Sequence, residues 1–489
     1  MLLALIVGVA AALGHAPFGL WPLALIGLLG LVWLVSHQPR PFRTAWAGAV
    51  GYFGTTMHWI VEPFLVDIAT HGWIAPFALI LLAGGLALFW GSAAWLACRF
   101  LSTPGRRALG FTVFLTIAEL IRGYIFTGFP WGLPAYVWAD TPLRAATAFT
   151  GSYGLTFLTM VAAALPFALR RKWLGTALAA LVVASLYGLG SWHIAANGQD
   201  RGNLGQARLV QPNVPQHEKW VPEKVTDHLN RLRDLSQGAG GAGNAMVVWP
   251  EAAIVYPLNR AQTLLSSGFP FAGAPLVTGI NRQSADGGWH NSMVVIDPEG
   301  AVQDAYDKVH LVPFGEYIPF KLEIIRAMAA SAGFGFTPGE KVHLIDTPLG
   351  RALPLICYEG IFPRQLFRAD ARADYLLMIT NDAWFGTFSG PYQHLDQARF
   401  RAAEQGLSMI RVANTGISAV IDPLGRIASG ASMPLGVQGA LDLPVPKALK
   451  TTLYAQFGKT PLIVILLTTL AGLILAERRN AIANGRTTS

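Results

Sequence analysis

"LPLICYEGIFP" (353–363) holds one of the two cysteines in a chain of 489 residues. Its first four residues are apolar and read as a buried strand, which delivers Cys357 at its tip with Tyr358 and Glu359 directly behind. A lone cysteine packs well as a small core residue. A side chain at a strand end is also where rigid positioning meets an adaptable loop, the usual setting for chemistry. The surrounding sequence has to decide between the two.

Outward from Cys357 the same texture recurs. "ARLVQPNV" (207–214), "AMVVWPEAA" (245–253), "PLVTGINR" (275–282), "NSMVVIDPEG" (291–300), "YLLMITNDAWF" (375–385) and "SAVIDPLGRI" (418–427) read as short strands bounded by Gly, Pro, Asn and Asp. Helical patterns at 223–236 and 394–406 lie between them. Strands alternating with helices over some 250 residues predict a layered α/β domain. "GAGGAGN" (238–244) lacks the Lys-Ser/Thr of a phosphate-binding loop and reads as a flexible connection. There is no GxSxG, no HExxH and no CxxC, so a serine hydrolase, a zinc protease and a structural zinc site have no motif; no metal or cofactor is expected.

The rest of the chain is of another kind. Hydrophobic residues make up 53% and charged residues 13%, about half the usual charged share, which predicts membrane-embedded segments. Apolar stretches at roughly 2–13, 20–35, 45–61, 73–97, 109–126, 155–169, 173–194 and 461–476 give an expectation of about eight α-helical spans. The first is short, lacks a basic leading segment and a clear cleavage site, and is retained as an anchor. With the N-terminus inside, eleven Arg and Lys residues fall on cytoplasmic loops and the tail, against the single acid Glu477. The net charge of +8 is therefore a topology signal and not a nucleic-acid footprint. Residues 1–199 are expected to form a membrane domain of seven spans and 200–455 an extramembrane domain on the outer side. Residues 456–489 follow as a last span and cytoplasmic tail. Glu119 and Arg122, three apart in "AELIRGYIF", read as an ion pair fixing helix packing inside the membrane, and Cys98 reads as a packing residue.

Three strand ends carry reactive side chains: Glu251 after "MVVWP", Lys308 in "YDKVHLVPFGEYIP", and Cys357. Each has a plain structural reading too, as helix cap, solvated charge and core thiol. One shared site accounts for all three together.

Glu251, Lys308 and Cys357, in this order and context, resemble the Glu-Lys-Cys triad of the nitrilase (carbon–nitrogen hydrolase) superfamily. A nitrilase-like α-β-β-α sandwich set between seven spans and an eighth is similar to the apolipoprotein N-acyltransferase family. "GHAPFGLWPL", "AELIRGYIFTGFPWGLPAY", "PQHEKW", "WPEAA", "KVHLVPFGEYIP" and "CYEGIFP" all look like that family's motifs. The resemblance implies transfer of an acyl chain from a phospholipid, typically phosphatidylethanolamine, to the N-terminal amine of a diacylglyceryl apolipoprotein in the bacterial inner membrane, with the catalytic domain periplasmic. It implies Cys357 as nucleophile, Glu251 as general base and Lys308 as electrostatic stabiliser, with Glu316, Tyr358, Glu359 and Trp220 supporting them. Apolar side chains at Phe334, Phe336 and Trp384 are candidates for a flap that screens the site. A membrane-anchored amidase and a transporter or assembly factor with an inactive domain are the competing readings.

Overall fold

Proline at the first turn presets the backbone for four of the long helices, Trp21–His37, Pro41–Thr56, Ala75–Phe100 and Pro104–Arg122. The computed structural model describes residues 1–199, 201–237, 245–261, 274–285, 287–318 and 335–483. The chain divides into two units, Met1–Gly198 with Thr451–Ser489, and Gln199–Lys450.

The first unit is helical. Besides the four helices above it contains Leu2–Ala12, Thr147–Ala168, Lys172–Asn197 and Thr460–Ala483. Small residues let the first helices pack closely: a Cβ on Gly8 would lie 1.8 Å from the Gly48 carbonyl oxygen, and one on Gly51 2.3 Å from that of Leu5. Glu119 and Arg122 are buried and paired; Trp90 Nε1 donates to Glu119 Oε1 at 2.7 Å, and Arg122 Nη1 to the Trp131 carbonyl at 2.9 Å. This pair ties three segments together, as a structural ion pair should.

The expected span count is not reached by length and composition. Among the described residues four helices are long and apolar enough to cross a membrane: Ile68–Phe100, Pro142–Ala168, Lys172–Asn197 and Thr460–Asn480. The other expected stretches are also helical, but Leu2–Ala12, Trp21–His37 and Pro41–Thr56 have 11, 17 and 16 residues. Pro104–Arg122 carries Arg106, Arg107, Glu119 and Arg122 within its 19 residues. Apolar content marked the helices, and four of them meet the length and composition of a span.

The second unit is built on two six-stranded sheets. The strands are β1 (Asn203–Gln211), β2 (Met246–Val248), β3 (Leu276–Gln283), β4 (Trp289–Ile296), β5 (Val302–Asp307) and β6 (Ile345–Thr347). They continue as β7 (Gly350–Ile356), β8 (Tyr375–Thr380), β9 (Met409–Ala413), β10 (Ser418–Ile421), β11 (Ser432–Met433) and β12 (Gly439–Pro446). One sheet runs β12-β1-β2-β3-β4-β5 and the other β11-β10-β9-β8-β7-β6. β1, β2 and β3 are parallel in the first, β7, β8 and β9 in the second, with antiparallel neighbours on either side.

Alternation along each strand sets the layers. Leu209, Val248, Val277 and Val295 of the first sheet share a core with Ile356, Leu377, Ile379 and Val412 of the second. The other face of the first sheet, with Val210, Val247 and Leu276, packs on Val225, Leu229 and Leu232 of helix Pro222–Gln237. The other face of the second, with Leu355, Leu376 and Met378, packs on Ala398 and Ala402 of helix Gly390–Gln405. The result is an α-β-β-α sandwich. Its parallel strands β2, β7 and β8 end in the loops that carry Glu251, Cys357 and Asn381.

Candidate active site

Cys357 takes φ +49° where β7 turns into a short 3₁₀ segment, Cys357–Ile361. A left-handed conformation is unusual for a residue with a Cβ and is kept only where the surroundings enforce it. Two sets of bonds enforce it here. His394 Nε2 lies 3.3 Å from the Cys357 carbonyl oxygen, and Glu359 Oε2 accepts from Ile356 N at 2.9 Å. The side chain is 6% exposed. Burial and the neighbouring Glu251 carboxylate push the Cys357 thiol far up; Lys308 pulls the other way. The resting sulfur is therefore a thiol, and it needs a base.

The carboxylate that can take the proton lies on the opposite sheet. Glu251 follows β2, with Oε1 accepting from Asn291 Nδ2 at 2.8 Å and Lys308 Nζ at 3.4 Å. Its Oε2 accepts from Asn381 N at 2.9 Å, at the tip of β8. Gly279 of β3 makes room for this loop: a Cβ there would sit 2.5 Å from Ala252 N and 2.6 Å from Glu251 Cα. Ala252 also has a positive φ, +47°.

Lys308, 1% exposed, follows β5 and donates to Glu316 Oε1 at 2.9 Å as well as to Glu251. Burial pulls its ammonium down, but the Glu316 and Glu251 carboxylates outweigh burial and hold it well above the ordinary lysine range. Glu316 is itself fixed by Asn291 Nδ2 at 2.9 Å and by Val312 N at 2.7 Å. Thus Asn291 bridges two carboxylates and Lys308 completes the ring. Such a cluster sets a carboxylate and an ammonium whose charges both act on the Cys357 thiol, the ingredients of base-assisted nucleophilic chemistry.

Matches to known proteins bear on this geometry. A family model described as the apolipoprotein N-acyltransferase N-terminal domain matches residues 7–165, and one described as carbon-nitrogen hydrolase matches 206–434. An apolipoprotein N-acyltransferase of Caulobacter vibrioides is 38% identical over 513 residues, covering 98% of this chain and 94% of that protein. One from Rhodopseudomonas palustris is 35% identical, covering 97% and 95%. The chain belongs to the apolipoprotein N-acyltransferase family. Among solved structures, an amidase from Nesterenkonia sp. aligns with 54% of this chain and 96% of its own, at 19% identity and a TM-score of 0.38.

In this member of the apolipoprotein N-acyltransferase family the remaining expected site residues separate. Glu359 is fully buried beneath the thiol, with Oε1 accepting from Tyr306 Oη, Val309 N, His310 N and Gln365 Nε2 at 2.8–3.0 Å. It braces the Cys357 turn and the loop after Lys308 at once. Tyr358 is buried against Phe362 and His310, with ring centroids 5.0 and 5.6 Å away. Trp220 is 48% exposed and is not brought into the cluster. Trp384 is half-buried in the turn Asp382–Phe385. Phe336 is half-buried, its N–H bonded to the Glu316 carbonyl at 3.0 Å. Phe334 and the 238–244 loop lie outside the described residues.

Sequence reading missed the polar support of the site. Asn291 and Asn381 stand near strand ends, and their partners Glu316, Glu251 and Gln216 lie 25 to 165 residues away. Behind Cys357, Asp382 pairs with Arg411 at 2.6 Å and His394 Nδ1 at 2.9 Å, all three fully buried, while Thr380 Oγ1 donates to Asp382 at 2.9 Å. Burial pushes the Asp382 carboxyl up, yet Arg411 and His394 hold it well below the usual carboxylate range. Asp382 had a visible signal: the "NDAWF" that follows a strand puts a carboxylate at a strand tip, as Glu251 is.

Proposed function

We propose that this chain transfers a fatty acyl group from a membrane phospholipid, phosphatidylethanolamine being the natural donor, to the N-terminal amine of an S-diacylglyceryl-cysteine apolipoprotein. The observation that carries the reading is the Glu251–Lys308–Glu316–Asn291 ring beside a buried, conformationally constrained Cys357, in a chain with long apolar helices.

Glu251 takes the Cys357 proton as the sulfur attacks the ester carbonyl. Lys308, cationic at every physiological pH, stabilises the tetrahedral oxyanion; a preorganised donor of this kind is worth about 3 to 4 kcal/mol. The C–O bond breaks, Glu251 returns the proton to the departing oxygen, and lysophospholipid leaves a thioester on Cys357. In the second half Glu251 accepts a proton from the lipoprotein amine as it attacks the thioester. The C–S bond breaks and that proton restores the thiol. Glu316 and Glu359 act through position: the first holds Lys308, the second the Cys357 turn.

Acyl chains leave a bilayer at a cost of about 0.8 kcal/mol per CH₂, which explains why such a site needs a membrane scaffold. In this reading residues 200–455 form the catalytic domain on the periplasmic side of the inner membrane. Residues 1–199 and 456–489 form the membrane part, and all eight helices cross or line the bilayer.

Intact mass of the purified protein after incubation with phosphatidylethanolamine alone tests the scheme. A fatty-acyl increment on the wild type, released by neutral hydroxylamine and absent from Cys357→Ala, is expected. No increment, with hydrolysis of small amides instead, would refute the acyltransferase and favour an amidase.

A further inference from the structure

Between β1 and helix Pro222–Gln237 the chain carries "PQHEKW", and only its tryptophan figures among the expected site residues. The lysine before it is the better placed of the two. Lys219 is 5% exposed, and its Nζ donates to the main-chain carbonyl of Glu251 at 3.1 Å. No carboxylate side chain is within ion-pair distance of that ammonium among the described residues. It borders a cavity of about 10 Å³, the size of one water, together with Glu251, His228 and Asn414.

The loop that bears Lys219 is pinned to the same strand tips. Gln216 Oε1 accepts from Asn381 Nδ2 at 2.7 Å, and Asn414 exchanges bonds of 3.0 and 2.8 Å with the Val214 main chain. Asn381 is also the residue whose N–H holds Glu251 Oε2. Lys219 is thus fixed in place by groups that also fix the base.

A buried ammonium without a carboxylate partner is costly and is retained where its charge is used. Lys308 donates to two carboxylates at once, Glu251 and Glu316, so its single positive charge is shared between them. We infer that Lys219 is a positioning residue of this site: its ammonium anchors the Glu251 peptide and supplies a second positive charge beside the Glu251–Glu316 pair, so that the base and the thiol work against less negative charge. Without it, the surplus negative charge opposes formation of both the thiolate and the oxyanion.

The groups that face Lys219 are the Glu251 carboxylate, the Cys357 thiol and the His228 imidazole; Glu218, next along the chain, is engaged by Lys224 at 2.8 Å. Burial lowers the Lys219 ammonium to about 8, against the upward pull of Glu251 and Cys357. Its charge is therefore lost just above neutrality, whereas that of Lys308 persists.

This inference rests on Cys357 and Glu251 as nucleophile and base, and the test keeps the two apart. Full-length wild type, Lys219→Met, Lys219→Arg and Cys357→Ala are incubated with phosphatidylethanolamine vesicles between pH 6 and 10. The acylation rate is followed by intact mass, with thermal melting as a folding check. Wild-type acylation should fall on the alkaline side with a midpoint near 8. Lys219→Met should be slower by roughly ten- to a hundredfold at pH 7, the usual range for a lost charged hydrogen bond, and should lack the alkaline fall. Lys219→Arg, always charged, should keep much of the rate and also lose the alkaline fall. A folded Lys219→Met with the wild-type rate, or with a slow rate but the wild-type pH profile, overturns the inference. So does Lys219→Arg with an alkaline fall unchanged from wild type. Acylation of Cys357→Ala would instead overturn the nucleophile assignment on which it stands.

Discussion

Replacing Glu359 by Gln changes one atom and reverses one polarity. The carboxylate accepts five bonds: four at Oε1, from Tyr306, Val309, His310 and Gln365, and one at Oε2, from Ile356 N. A glutamine oxygen must stay on the four-donor side, which turns the amide NH₂ toward the Ile356 N–H. One bond to a charged group is lost, about 1.5 to 3 kcal/mol, and two buried donors then face each other without an acceptor, about 1 to 3 kcal/mol more. Against this, burial pushes the Glu359 carboxyl above its usual range, so removing the charge recovers part of the loss. A net destabilisation of about 3 kcal/mol remains, or roughly 6 to 12 °C in melting temperature for a unit of this size. Because Ile356 precedes Cys357, acylation should fall with it. The assays are thermal melting of the full chain in detergent and the acylation rate by intact mass. Tyr306→Phe, which removes only one of the four donors on Oε1, serves as a graded control expected to cost about 1 kcal/mol. Glu359→Gln melting within 2 °C of the wild type, with an unchanged rate, would refute this account of how the turn is held.

Two further outcomes follow from the site. Gly279→Ala places a methyl group 2.5–2.6 Å from the Ala252–Glu251 main chain; acylation should drop at least tenfold, with about 1 to 3 kcal/mol of destabilisation. A full-rate Gly279→Ala, followed by the same mass assay, would show that the Glu251 loop does not need this close approach. Asp382, whose folded carboxyl is held low, contributes stability that is complete above its unfolded value, about 3.9, and is lost as pH falls toward the folded one. Asp382→Asn should therefore melt below the wild type at pH 7, with the gap narrowing below about pH 4; a constant gap would contradict the linkage.

The parts of this protein that speak through their own side chains were legible in its sequence. Glu251, Lys308 and Cys357 stand just beyond strand ends, with Glu316 in the loop after Lys308, and the unbroken apolar runs "LPLI" and "YLLMI" announce strands buried on both faces. Strands without that contrast were not legible: β5 reads "VQDAYD" and is half-exposed, β12 contains two prolines, and β11 has two residues. Helix 394–406 was recognised, yet "HLDQARFRAAEQG" looks solvent-facing, while His394, Arg401 and Glu404 are fully buried in it. Arg401 and Glu404 pair three apart along this helix, a spacing that an exposed surface pair shares, while the partner of His394 is Asp382 on the turn after β8, so the local pattern does not report the burial. The same limit applies to Trp220, where motif membership was visible and surroundings were not.

β1 and β12 lie side by side, with Asn203 opposite Pro446 and Gln211 opposite Gly439. The polypeptide therefore enters and leaves this unit one strand spacing apart, about 4.8 Å. A module whose ends meet in this way can be spliced into a tight turn of a host chain without prising that turn open. The strand pair also acts as a zipper at the doorway: its hydrogen bonds close the longest loop in the unit, so the last strand made is the one that locks the first into place.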